Sequence, residues 1–112
     1  MNITKTVKVG GYVLKTKFVN MIDNGENGAS ISFCKNLIQI ARYVLYIKLG
    51  KKVRTKISKT CNEQDFCHEI IHGIDVVYNG DTLTEKQVEN LAKGLHQVIE
   101  DNPSVFKKKG GK

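Results

Sequence analysis

The chain has 112 residues, 40% of them hydrophobic and 26% charged, with three cysteines and a formal net charge of +7. That length supports one domain with one modest core, and no apolar run approaches the ~18–20 residues that cross a bilayer. The opening MNITKTVKVG lacks an apolar leader core, and the cysteines show no Cys-x-x-Cys spacing. A reducing, cytoplasmic setting with no membrane anchor is therefore expected.

Charge is unevenly placed. Residues 1–60 carry twelve Lys/Arg against two acids, whereas residues 61–106 carry two against nine. A basic half can serve an anionic partner such as nucleic acid, or it can be a solvated sheet surface protected from edge pairing. No aromatic stacking pattern or recognition-helix pattern accompanies the lysines, so the solvated sheet is preferred.

In chain order, the first half alternates as strands do. Thr4–Val9 and Tyr12–Val19 flank Gly10-Gly11, a two-residue hairpin turn. Residues 20–28 are polar and contain two Asn-Gly pairs, so they form a loop. Ala29–Phe33 and Leu37–Ala41 pair across Lys35-Asn36. Tyr43–Leu49 reads as a strand that ends at Gly50-Lys51-Lys52, with Val53–Ile57 returning. A helix over Leu37–Leu49 fits the spacing of Leu37, Ala41, Val44 and Leu45 equally well.

The second half changes period. Thr60-x-x-Glu63 is a capping box, and it predicts a helix running to about Tyr78, with Phe66, Ile70, Ile74 and Val77 as its apolar stripe. Thr84-x-x-Gln87 opens a second helix with Val88, Leu91, Ala92, Leu95 and Ile99 on one face, ending near Asn102-Pro103. The expected fold class is α+β: a small, mostly antiparallel sheet followed by two helices. It forms one domain over residues 1–106, with a disordered basic tail over 107–112.

The chemistry lies in Cys67-His68-Glu69-Ile70-Ile71-His72-Gly73, which contains H-E-x-x-H. Two histidines four apart share a helix face and can reach one ion, and the glutamate between them can take a proton from the zinc-bound water. Residues 61–79 contain no lysine, which suits a face turned toward a cation. His68 and His72 are thus candidate zinc ligands and Glu69 the candidate general base. A catalytic zinc needs a third protein ligand. For a tight antiparallel hairpin, His72 lies level with Leu91 and His68 with Leu95. Glu89 is then the preferred ligand, with Glu85 the alternative and His96 a weaker candidate. Asp75 lies on the histidine face as a candidate acceptor for a ligating imidazole. Tyr78 or Tyr43 are candidates for polarising a carbonyl. Cys67 is read as a small packing residue, and Cys34 and Cys61 receive no role.

The stretch from Cys61 to Pro103 resembles small phage-type zincin-like proteins related to the ImmA/IrrE metallopeptidase family. The resemblance rests on F-x-HEIIHGID at Phe66–Asp75, the short polar loop with Leu83, and E-x-x-V-E-x-L-A-x-x-L from Glu85 to Leu95. Unlike the larger family members, this chain continues Leu95-His96-Gln97-Val98 without a further motif after paired leucines. The resemblance implies a minimal gluzincin-like domain with a glutamate ligand on the second helix. It also implies limited proteolysis of a regulatory protein, in the host cytoplasm for a phage-encoded chain. An extended peptide substrate is expected on a strand between Leu37 and Ile57. The alternative is a zincin-like binding module with little turnover, whose basic half contacts nucleic acid or an acidic protein.

Overall fold

Gly10 and Gly11 turn the chain between β1 (Thr6–Val9) and β2 (Tyr12–Val19), which pair antiparallel with Val9 opposite Tyr12. Gly10 holds φ +58°, and a Cβ there would collide with Val77 on the first helix. β3 (Ala29–Ser32) and β4 (Leu37–Ala41) form the second hairpin, Ser32 opposite Leu37. The computed structural model describes residues 1–106; the tail expected over 107–112 lies outside the described residues.

The two hairpins join by a parallel pairing of β2 with β4, giving the strand order β1-β2-β4-β3. Ile38 and Ile40 of β4 are fully buried and belong in the interior of a sheet, whereas every residue of β3 is half-buried. β3 is left at the edge. The fold class is therefore α+β, a mostly antiparallel sheet followed by two helices.

Residues 42–57 are a ribbon. β5 (Tyr43–Lys48) and β6 (Lys51–Lys56) pair only with each other, around a turn at Leu49-Gly50. Both turn residues have positive φ, +51° and +75°, as a two-residue hairpin of this hand requires. The helical alternative over Leu37–Leu49 is overturned. Its first five residues are claimed by the sheet interior, and its aromatic and β-branched remainder pairs as a strand. The returning strand also begins two residues earlier than expected.

α1 (Lys59–Tyr78) packs across the sheet. Its cap is Ser58, whose Oγ accepts from the Cys61 N–H at 3.1 Å; the Thr60 capping box does not form. Glu63 is instead turned inward, 2.8 Å from His96 Nε2. Phe66 joins Val9, Leu14, Ile38 and Ile40 in the core, with Ile70 and Val77 against them. Gly73, rather than Ile74, meets the sheet at Ile31, Phe33 and Val9, and Ile74 is left 41% exposed. α2 (Glu85–Asp101) starts with the expected capping box of Thr84 and Gln87. It buries Val88 and Ala92 against α1 but leaves Leu91 half exposed. Among the described residues no helix is long and apolar enough to cross a membrane.

Candidate metal centre

One turn of α1 separates His68 and His72, and their Nε2 atoms lie 3.0 Å apart. Glu85, in the first turn of α2, spans both. Its Oε1 is 2.6 Å from His68 Nε2 and its Oε2 is 3.2 Å from His72 Nε2. These three side chains bring one ligand atom each within 4.8 Å of one another. Tetrahedral zinc with ligands at ~2.0–2.1 Å would hold such atoms roughly 3.3 Å apart. The donor set, two imidazoles and a carboxylate facing a cleft, fits a catalytic divalent ion.

Glu89, preferred as the third ligand from sequence, does not reach the two Nε2 atoms, and the alternative, Glu85, does. The Glu89 Oε2 sits 2.9 Å from His68 Nδ1, on the far side of the ring. A carboxylate at Nδ1 is placed to accept its proton, the arrangement that would free the Nε2 lone pair for an ion. The two helices are not at the level that a tight hairpin predicts. Asp75 draws the interhelical loop back along α1, accepting from the Thr82 N–H at 3.1 Å and the Leu83 N–H at 3.2 Å. α2 therefore starts lower, so that Glu85 meets His72 and Glu89 meets His68.

Asp75, expected on the histidine face, makes no hydrogen bond to an imidazole. It is 1% exposed, and its carboxylate is taken up by Asn79 Nδ2, Thr82 and Leu83 rather than by an imidazole. Burial pushes its pKa up, but these hydrogen bonds prevail and hold it below the usual carboxylate range. His96 lies away from the site, buried against Glu63 and 3.8 Å from Glu100. The amino group of Met1 pairs with Glu100 at 2.6 Å, so this second polar cluster ties both helices to the first residue. Cys67 is buried as expected, beside the Met1 sulfur. Neither tyrosine lines the cleft: the Tyr43 ring lies under Arg54, and the Tyr78 hydroxyl lies beside the Gly10 turn.

The cleft is about 680 Å³ and runs between α1 and the start of α2 on one side, and residues 23–28 with β3 on the other. Glu69 lines it at only 6% exposure. Burial pushes its pKa up to about 7, with His68 opposing and Glu85 and Asp65 adding to the rise. Asp65, one turn before Glu69, is pushed up to about 6 by burial, with His68 opposing and Glu89 raising it. Sequence reading missed Asp65. No local pattern marks it: Gly28, where any Cβ would strike the Asp65 carboxylate, faces it only in the folded chain. Asp23 and Glu26 add two more acids, and among the described residues no Lys or Arg lines this cleft.

The bordering strand is β3, not a strand between Leu37 and Ile57 as expected. β4 is paired on both edges, and β5 and β6 stand outside the four-stranded sheet. Comparison with protein-family models, curated proteins and solved structures finds no match.

Proposed function

We propose that this chain is a metal-dependent peptidase, with His68, His72 and Glu85 holding the ion and zinc the expected metal. The observation that carries the reading is the Glu85 carboxylate reaching both Nε2 atoms above a cleft that also contains Glu69. A bound zinc supplies Lewis-acid polarisation and acidifies water. Glu69, buried at the floor of the cleft, would take the proton from the attacking water and return it to the leaving amine. Glu89 holds the His68 ring in the tautomer that presents Nε2.

The substrate is a protein or peptide, and the resemblance to the ImmA/IrrE family points to a regulatory protein. An extended segment would dock along the open edge of β3 by strand addition. Asp23, Glu26 and Asp65 favour cationic side chains beside the scissile bond. The test is metal content by mass spectrometry on protein purified without added metal or a histidine tag, followed by cleavage of a Lys/Arg-rich peptide library. About one zinc per chain, with hydrolysis lost in Glu69→Gln, supports the reading. No metal in the wild type even after zinc is added back overturns it.

A further inference from the structure

Between Asn27 and Asn62 the chain has eight Lys/Arg and no acid. Five of these cations, Lys48, Lys51, Lys52, Arg54 and Lys56, stand on the β5–β6 ribbon. The register places Lys48 directly opposite Lys51 on one face. Lys52, Arg54 and Lys56 follow one another on the other face at a spacing of ~6.6–6.8 Å. Like charges facing across a ribbon are destabilising. Lys59 and Lys93 have acidic partners, but among the described residues none of these five does.

The ribbon is fixed at its base and bare at its tip. Leu45 packs on Gly25, the Ile57 N–H donates to the Arg42 carbonyl at 2.9 Å, and the Arg54 guanidinium lies 4.2 Å over Tyr43. Beyond that point Ile47 is 73% exposed and Leu49 95% exposed. Leu49 also holds φ +51°, a conformation costly for a leucine. A lone two-stranded ribbon is marginal in water, so its outer half gains most from a partner.

We infer that the β5–β6 ribbon is an arm that enters a groove of duplex DNA. The major groove of B-DNA, about 12 Å wide, admits a two-stranded ribbon, and the deep, narrow major groove of duplex RNA does not. Cations on both faces of the ribbon meet a phosphate strand on each wall, and the apolar tip reaches the groove floor. A flat anionic membrane would meet only the tip and leave Arg54 and Lys56, roughly 13–20 Å back, unused. Lys51, Lys52, Arg54 and Lys56 along β6, with Lys48 at the end of β5, disfavour edge pairing with a second copy. This inference stands on the ribbon alone and is independent of the peptidase reading.

The test is fluorescence anisotropy of a labelled 25-bp duplex between 50 and 200 mM salt. Five phosphate contacts predict a slope of log affinity against log salt of about −4 to −5. Replacing Lys48, Lys51 and Lys52 together by Gln should flatten that slope by about 3 and weaken binding at least tenfold at 100 mM salt. The same substitution at Lys8, Lys15 and Lys17, exposed on β1 and β2, should change affinity less than twofold. Thermal melting checks the fold of both triples. Lys51→Gln alone, which relieves the opposition to Lys48, should lower the slope by about 1. Absence of duplex binding at 50 mM salt overturns the inference, as does equal loss in the two triples. Preference for a single strand, or for phosphatidylserine vesicles over the duplex, also overturns it.

Discussion

Glu89 lies 2.9 Å from Nδ1 of His68, the ring nitrogen that faces away from His72. One imidazole is thus held between two carboxylates of α2, Glu85 on Nε2 and Glu89 on Nδ1. The two glutamates sit on different ring nitrogens, and substitutions should separate the duties proposed for them. Glu85→Ala and His72→Ala should abolish stoichiometric zinc. Glu89→Ala should retain zinc at saturation with affinity weakened roughly 10–100-fold. Titration against a chelating dye reads both. Retained tight binding in Glu85→Ala, with loss in Glu89→Ala, would exchange their assignments.

Among the described residues Glu69 makes no hydrogen bond to His68, His72 or Glu85, so its replacement should leave the proposed metal in place. Glu69→Gln should bind about one zinc per chain with unchanged affinity and show hydrolysis slowed by ~10²–10⁴. Metal content and turnover measured on one preparation check this. A variant that loses zinc and activity together would count against a separate proton-transfer role.

Asp75 predicts an acid-sensitive helix hairpin. Its folded pKa is lowered, so its contribution to stability is complete above the ordinary carboxylate range and fades as the pH falls through the folded value. Below roughly pH 4, wild type should lose melting temperature faster than Asp75→Asn, and the two curves should converge. At pH 7, Asp75→Ala should melt lower than wild type because the loop N–H groups of Thr82 and Leu83 lose their acceptor. Thermal melts of metal-free protein from pH 7 to pH 3 measure this. Parallel curves for wild type and Asp75→Asn would contradict it.

Gly28 and Asp65 should be energetically coupled. A Cβ at residue 28 meets the Asp65 carboxylate, so Gly28→Ala must displace either that side chain or β3. It should cost about 1–3 kcal/mol. In an Asp65→Ala background the cost should shrink, with a coupling of roughly 0.5–3 kcal/mol. Denaturant unfolding of the four proteins in the cycle gives the value. Strict additivity would mean that β3 and α1 do not meet at this contact.

The local features were legible because neighbouring residues make them. Gly10-Gly11 specifies its hairpin through positive φ at Gly10, and Thr84 with Gln87 caps α2 with two bonds inside one turn. Thr60-x-x-Glu63 was equally well formed as a pattern and failed. Ser58 already serves as the cap, and Glu63 finds a stronger partner in His96, thirty-three residues away. Ile74 fitted a helical stripe, but the close approach of α1 to β3 selects the side chain-free Gly73 at that level.

The sequence by itself determined that His68 and His72 share one face of a helix with Glu69 between them, because four residues are about one helical turn. It also determined that acids gather after residue 60 and cations before it. Only the tertiary structure decided which carboxylate reaches both Nε2 atoms and which strand borders the cleft. The level of α2 against α1 depends on Asp75 holding a loop seven and eight residues further on. The edge position of β3 depends on β4 inserting beside β2. Both are contacts between segments apart in the chain, set by how buried groups find partners rather than by the period of the residues around them.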